Sequence, residues 1–370
     1  MRIGVLGGGQ LGLMLAEAGR AVGHSFTFLD PSPEACARRA GRLIAGGFND
    51  SGALDRLVRE ADLATYEFEN VSIDAVQRVG ASIPILPGPE SLRIAQDRAL
   101  EKRLFTETGF GVVRHALADS LPDLATAIAE IGAPGVLKAR RGGYDGRSQA
   151  VIQGPGEAGA AWEAIGGAPA IYEGFVSFRR ELSLVGVRSR TGETAFYPLV
   201  ENHHEGGILR TTVAPAPGVT PGLEREARDH VAALMERLGH VGVLTVEFFE
   251  VDGRLMANEF APRVHNSGHW TIEGARASQF HAHVAAITGG ALPDTRPASP
   301  CVMVNLIGAA PDEDAMRAIP HVHVHLYGKR PRPGRKIGHC TIAHAPPEEM
   351  RAARARLEAL LAHWTDDPDP

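Results

Sequence analysis

Cysteine is scarce in this chain: Cys36, Cys301 and Cys340 are the only three in 370 residues, and they lie far apart. That excludes a disulfide framework and the close spacings of a structural zinc site, and it suits a reducing compartment. Apolar runs long enough to cross a membrane are also lacking. The run that follows Met1-Arg2 is broken at Gly7-Gly8-Gly9, so no secretory leader is expected. Basic charge is short as well. Against 44 Asp and Glu stand 38 Lys and Arg, giving a net charge of −6, so the chain as a whole does not attract nucleic acid. Any cationic function must be local. Neither an internal repeat nor a low-complexity tract occurs. These absences point to a cytoplasmic protein. What remains is an ordinary globular composition, 44% apolar and 22% charged, in a chain long enough for two or three domains.

The costliest residues are gathered between Leu244 and Trp270. An apolar strand over 244–250 carries Glu247, Asp252-Gly253 signals a turn, and a second strand over 254–260 carries Asn258 and Glu259. Carboxylates are unwelcome among apolar strand residues. A three-residue turn centred on Gly253 sets Glu247 opposite Glu259, whereas a two-residue turn pairs Glu247 with Asn258 and separates the acids by face. Opposed carboxylates repel unless a cation lies between them, and Mg²⁺ is commonly held by one or two carboxylates plus substrate phosphates. Arg263, His265 and Asn266 follow at once, donors suited to a polyphosphate and a second small anion. A metal site therefore explains the stretch better than an exposed face with two ordinary acids.

The N-terminus reads as a βαβ unit: a strand over 2–6, the turn Gly7-Gly8-Gly9-Gln10-Leu11-Gly12, a helix to about Gly23, and a strand ending at Asp30. This G-x-G-x-x-G spacing is compatible with a nicotinamide dinucleotide, with Asp30 on the ribose, or with another phosphate ester. A strand over 63–66 presents Glu67 and Glu69 at its C-terminal end, the ligand edge of a parallel sheet, and 83–86 reads as the last strand of this unit. Residues 90–113 read as helical, with Asp97, Arg98, Glu101 and Lys102 on a solvated face. Further on, Lys138, Arg140, Arg141 and Arg147 surround the dense glycines of the segment 141–148. That composition suits phosphate binding, without the Gly-Lys-Ser/Thr of a Walker loop.

The strand over 171–176 contains Gly174, whose missing side chain would let an adenine approach the backbone, and Glu181 lies in the next strand. Residues 201–205 read as a polar loop. Thr220 and Pro221 open a helix to Leu238, and another helix is expected over 273–287. His321, His323 and His325 alternate on a half-exposed strand, for which a metal site is the weaker reading. The loop 328–336 is basic, and a last helix is expected over 347–364.

Together these segments resemble the ATP-grasp superfamily, and within it the chain is similar to the N5-carboxyaminoimidazole ribonucleotide synthetases of purine biosynthesis. The most specific pieces are 65–70, the loop from Arg141 to Gly146, and the stretch from Asn258 to Trp270. The resemblance implies an α/β and α+β fold. A Rossmann-like substrate domain would span 1–95, a small glycine-loop lid domain 96–172, and a C-terminal antiparallel-sheet domain carrying the metal acids 173–370. It implies a carbon–nitrogen ligase that spends ATP and bicarbonate to carboxylate 5-aminoimidazole ribonucleotide through carboxyphosphate. The nearest alternatives are another ATP-grasp ligase or a formate-dependent glycinamide ribonucleotide transformylase, with a dehydrogenase further off. Related enzymes are commonly homodimers.

By position, the resemblance gives ATP to Arg98, Lys138, Gly143, Tyr144, Asp145, Gly146, Arg147, Ser148, Gln149, Glu173, Gly174, Phe175, Val176, Glu181, His204, Asn258 and Glu259. Mg²⁺ falls to Glu247 and Glu259. The ribonucleotide falls to Gly8, Gln10, Leu11, Glu67, Asp145, Lys329, Arg335 and Lys336. Bicarbonate and the carboxyphosphate made from it would lie among Tyr144, Arg263, His265 and Asn266. One departure is visible: Ser148 stands where the loop of related enzymes commonly has glycine, a steric cost if the position needs positive φ. Ala139, where a polar residue is often found, matters less.

Overall fold

The computed structural model describes residues 1–142 and 148–362, and its strands form three sheets. The first is parallel, in the spatial order Arg42–Ala45, Ser25–Asp30, Arg2–Leu6, Leu63–Tyr66. Ile3, Val5 and Leu6 have no exposed surface, as a central parallel strand covered on both faces requires. The expected strand over 83–86 adds only a single bridge, between Ala64 and Ile85. The second sheet is small and antiparallel: His115–Ala118, Ala170–Gly174, Gly135–Ala139, Gln149–Ile152.

The third sheet has ten strands and contains the hairpin Gly242–Val251 with Arg254–Ala261 near one end. Residues 201–205 belong to it and are not a loop. Val200–Glu205 pairs with Ile208–Ala214 and sets Asn202 against Glu181. The polar residues at 201–205 hid a strand whose polar positions face a site rather than a core.

The helices are shorter than their periodicity suggests. Residues 90–113 divide into Pro89–Ala95 and Arg98–Glu107, because the Asp97 carboxylate accepts the Ala99 N–H at 3.1 Å and starts a new helix. The region 273–287 likewise divides into Thr271–Gly274 and Gln279–Thr288, the second capped by Ser278. The helix Pro221–Arg237 begins at Thr220 and buries Leu223, Ala227, Val231 and Leu234 as one stripe. The last helix runs Pro347–Leu361, and Trp364 lies outside the described residues. Phe280, Val284 and Ile287 of Gln279–Thr288 share one core with Leu13 and Leu15 of the first helix and with Val185 and Val187 of the large sheet. That shared core fixes the first sheet beside the hairpin. It is what brings the two ends of the site together.

Candidate functional site

The hairpin turn has two residues, Asp252 and Gly253, both at positive φ (+49° and +76°), and Val251 pairs with Arg254. Such a turn alone pairs Glu247 with Asn258. A β-bulge intervenes: Phe248 pairs with Ala257, Asn258 is left over, and Glu247 stands opposite Glu259. The acids therefore face each other, by a route that turn length does not reveal. Burial, then Glu259, push the Glu247 carboxyl up to about 7. Burial also acts on Glu259, but Arg98 and Lys138 outweigh it and hold that carboxyl low.

The facing groups are two carboxylates, and beside them in the chain the Oδ1 of Asn258 is a buried acceptor without a hydrogen-bond partner. This fits a hard divalent cation such as Mg²⁺ better than a softer metal. Among the described residues no group of three or more His, Cys, Asp or Glu forms a metal cage. A cation here would lean on ligand oxygens from a substrate, as Mg²⁺ usually does.

Cations surround the acids. Arg98 Nη1 donates to Glu259 Oε2 at 3.2 Å, and Lys138 Nζ to Glu173 Oε2 at 2.6 Å. Glu173 is held far below the usual carboxylate range, because Lys138 and Lys102 together overcome its burial. Glu181 accepts from His204, and burial of that imidazole is outweighed by the contact, which raises it. Gly174 does not leave a gap over the backbone, since a Cβ there would stand 3.1 Å from the Ile131 side chain. Phe175 is exposed and Val176 half-buried beside it. Ser148 has φ +57°, so the serine does occupy the left-handed region where glycine is relaxed, and Gln149 opens the following strand. Gly143, Tyr144, Asp145, Gly146 and Arg147 lie outside the described residues.

On the other side of the acids, His265 Nε2 lies 3.4 Å from Glu247 Oε1. Its Nδ1 accepts the Ser267 N–H at 3.3 Å, which leaves the proton of the neutral ring on Nε2, toward the acid. Burial, then Arg263, keep this imidazole well below its usual range. Gln279 fixes the backbone of the loop, accepting the His265 N–H at 2.9 Å and donating to its carbonyl at 2.6 Å. Asn266 is locked in a reciprocal amide pair with Asn305, at 3.0 and 2.7 Å. Arg263 donates to Glu69 at 2.7 Å and to the Val264 carbonyl at 3.0 Å, and its buried Nε has no partner.

The glycine turn is already filled from within. Gly8 N–H donates to Asp30 at 2.8 Å, and Gly9 and Gly12 N–H to Glu67 at 3.0 and 3.3 Å. Three donors of a dinucleotide cradle are thereby spent on the protein's own acids. Leu11 is buried, while Gln10 accepts from Lys329 of the basic loop. Burial raises Glu67, an effect softened by Gly9 N–H, Arg263 and Lys329, so both ends of the site are felt at one carboxyl. Lys336 opens the strand Lys336–Ala343, and its charge acts on Glu247, His204 and His265. Arg335 donates to the Arg330 carbonyl at 3.2 Å within its own loop.

The residues that sequence reasoning missed are Asp97, Glu101 and Lys102. Asp97 and Lys102 have no exposed surface and Glu101 only 2%. Asp97 binds Arg140 and Arg141 at 2.7 and 2.8 Å, Glu101 accepts the Phe260 N–H at 2.7 Å, and Lys102 donates to the Asn258 carbonyl at 2.9 Å. Helical charge spacing looks the same whether solvent or a second sheet lies opposite, so only the concentration of four charges in six residues was available as a signal.

Three family models match the chain: the ribonucleotide synthetase preATP-grasp domain over residues 1–96, the ATP-grasp domain over 103–280, and the phosphoribosylaminoimidazole carboxylase C-terminal domain over 301–353. An N5-carboxyaminoimidazole ribonucleotide synthase of Pseudomonas aeruginosa is 48% identical over 361 residues, covering 98% of this chain and 99% of that one. The crystal structure of N5-carboxyaminoimidazole ribonucleotide synthetase from Thermus thermophilus is 49% identical with a TM-score of 0.93, covering 97% and 98% of the two chains. An Aspergillus clavatus N5-carboxyaminoimidazole synthase, solved with ADP and 5-aminoimidazole ribonucleotide, is 30% identical with a TM-score of 0.90 and 98% coverage of each chain.

Proposed function

The chain belongs to the N5-carboxyaminoimidazole ribonucleotide synthases of the ATP-grasp superfamily, and from that premise we propose how its residues divide the work. It is an ATP-dependent carbon–nitrogen ligase that carboxylates 5-aminoimidazole ribonucleotide in purine biosynthesis, with bicarbonate as the carbon source. The transformylase alternative is not favoured, since the relatives above carry the synthase name. The observation that carries the reading is a run of contacts and charge interactions from one end of the site to the other. Gln10 meets Lys329, Lys329 and Arg263 both act on Glu67, and Arg263 leads along its loop to His265, Glu247 and Glu259. A ribonucleotide, a small anion and a metal-bound polyphosphate can meet along that line.

In this proposal Arg98, Lys138, Ser148, Gln149, Glu173 to Val176, Glu181, His204 and Asn258 bind ATP, with Gly143 to Arg147 joining them from the glycine loop. Glu247 and Glu259 hold Mg²⁺, which when bound neutralises and aligns the phosphates. Gln10, Glu67, Lys329, Arg335 and Lys336 hold the ribonucleotide, with Asp145, while Gly8, its N–H taken by Asp30, and the buried Leu11 shape the turn beneath it. A bicarbonate oxygen attacks the γ-phosphorus of ATP, ADP leaves, and carboxyphosphate forms. Its C–O bond to phosphate then breaks as the exocyclic amine takes the carboxyl carbon and loses a proton, releasing phosphate. Arg263 offsets the charge of the attacking anion through its unpartnered Nε. His265, neutral and carrying its proton on Nε2, donates a hydrogen bond to the departing phosphate, while Tyr144 and Asn266 exclude water from the intermediate.

The divisions 1–95, 96–172 and 173–370 are part of the same proposal, supported by the three separate sheets, although Gly111–Val112 joins the large sheet and Ala170–Gly174 of the small sheet runs across the second boundary. A homodimer and a cytoplasmic location complete it, the latter in keeping with three free, buried cysteines. Within the described residues no helix is long and apolar enough to cross a membrane. The test is ADP release measured with ATP and Mg²⁺ while 5-aminoimidazole ribonucleotide and bicarbonate are added separately and together. Release that needs both supports the reading. Release stimulated by formate and glycinamide ribonucleotide instead would overturn it.

A further inference from the structure

An inserted residue leaves a strand with backbone groups that its ladder no longer pairs, and a strand near a sheet edge has little to restore them. Both conditions meet at Asn258. It is the extra residue of the bulge, and the outermost strand, Gly111–Val112, pairs only with Met256 and Ala257. Beyond Ala257 the outer edge faces the helix Arg98–Glu107. From that helix Lys102 Nζ donates to the Asn258 carbonyl at 2.9 Å, and Glu101 Oε1 accepts the Phe260 N–H at 2.7 Å. These two bonds bracket Glu259, whose carboxylate takes Arg98 of the same helix at 3.2 Å. Lys102 also forms an ion pair with Glu173 of the small sheet at 3.1 Å, without the alignment of a hydrogen bond, and Glu173 is the partner of Lys138 as well. A fully buried lysine among main-chain carbonyls and one shared carboxylate is costly unless each contact is kept. Its position is therefore specific.

We propose that Glu101 and Lys102 are positioning residues that clamp the bulge, holding Glu259 opposite Glu247 in the register a divalent cation needs and tying that register to Glu173 on the nucleotide side. The inference rests on the reading of Glu247 and Glu259 as metal acids. The clamp acts through two main-chain groups on either side of Glu259.

The test uses the full chain with Mn²⁺ and ADP, reading bound Mn²⁺ by electron paramagnetic resonance alongside the melting temperature, kcat and the Mg²⁺ concentration at half-maximal rate. Lys102→Met and Glu101→Met each delete a clamp bond and are expected to weaken Mn²⁺ binding at least tenfold and to raise the Mg²⁺ requirement. Glu101→Gln keeps an oxygen for the Phe260 N–H and is expected to stay within twofold of the wild type. A residue needed only for stability would lower the melting temperature and leave Mn²⁺ affinity alone. Folded methionine variants with Mn²⁺ affinity within twofold of wild type overturn the proposal. Should the methionine variants not fold, Glu101→Asp, which keeps the carboxyl on a shorter stem, replaces them. A threefold or greater loss of Mn²⁺ affinity supports the clamp, and an unchanged affinity overturns it. Glu259→Gln serves as the control. If it binds Mn²⁺ normally, the metal reading itself fails; if it loses Mn²⁺ while the clamp variants do not, the clamp alone fails.

Discussion

Arg263 Nη2 donates to Glu69 Oε2 at 2.7 Å, joining the C-terminal edge of the first sheet to the loop that follows the hairpin of Glu247 and Glu259. The pair orients a guanidinium whose Nε is buried and unpartnered, ready for an anion. Arg263→Lys keeps the charge but loses the planar fork, so kcat/KM for bicarbonate is expected to fall by about 10²-fold. Glu69→Gln keeps an acceptor with a weaker pull and is expected to cost about tenfold. Steady-state kinetics with varied bicarbonate measure both. An Arg263→Lys variant within threefold of wild type would remove Arg263 from the anion site.

Glu247→Gln and Glu259→Gln conserve shape and remove one charge each from the oxygen donor set. Turnover is expected to drop by more than about 10³-fold in either, the scale of a lost electrostatic clamp on phosphoryl transfer. Melting temperature is expected to hold or rise in Glu247→Gln, since opposed carboxylates repel, and to fall in Glu259→Gln, which leaves Arg98 without its carboxylate. Near-normal ADP release at ordinary Mg²⁺ by both variants would contradict the assignment.

The glycine turn predicts selectivity. With Gly8, Gly9 and Gly12 N–H bound to Asp30 and Glu67, NAD is expected not to bind at millimolar concentration. 5-Aminoimidazole ribonucleotide is expected to bind in the presence of ADP, and Lys329→Met to weaken it more than about tenfold by removing a charge-assisted contact. Calorimetric titration separates the two ligands. Tight NAD binding without ribonucleotide binding would restore the dinucleotide reading of the first thirty residues.

Core histidines set the response to acid. Burial lowers His240 to about 4 and His283 to about 3. His283 Nδ1 accepts the Val243 N–H at 3.1 Å, so its proton sits on Nε2, toward Thr65 Oγ1 at 3.0 Å. In the unfolded chain both rings titrate near 6.5. Between 6.5 and 4 the unfolded state thus binds more protons than the folded one, so stability is complete above 6.5 and falls as the pH drops. The slope is about 1.4 kcal/mol per pH unit for each ring. Urea midpoints from pH 7.5 to 5 measure it, and His240→Gln is expected to flatten the dependence. Equal midpoints at pH 7 and 5 in the wild type would contradict the burial of neutral rings.

The parts of this protein that were legible from sequence are those whose cause is local. Asp252-Gly253 fixes a turn, Thr220-Pro221 starts a helix, and Gly7 to Gly12 follow a buried strand. The opposition of Glu247 and Glu259 was legible only as a conditional, because the bulge at Asn258 depends on Lys102 and Glu101, more than 150 residues away in the chain. The same distance explains the misreading of residues 97–102 as solvated. Their partners come from two other sheets, and no spacing within the helix records them. Gln10 and Lys329 were named by resemblance, and their contact spans 319 positions.

The central claim is that bicarbonate accepts the γ-phosphoryl group of ATP before its carbon reaches the amine. Bicarbonate labelled in all oxygens with ¹⁸O tests it in one turnover. As carboxyphosphate breaks, one former bicarbonate oxygen must remain on phosphorus, so mass spectrometry of the phosphate released with the carboxylated product is expected to find one heavy oxygen per molecule. Unlabelled phosphate, formed while product accumulates, would show that bicarbonate is not the phosphoryl acceptor.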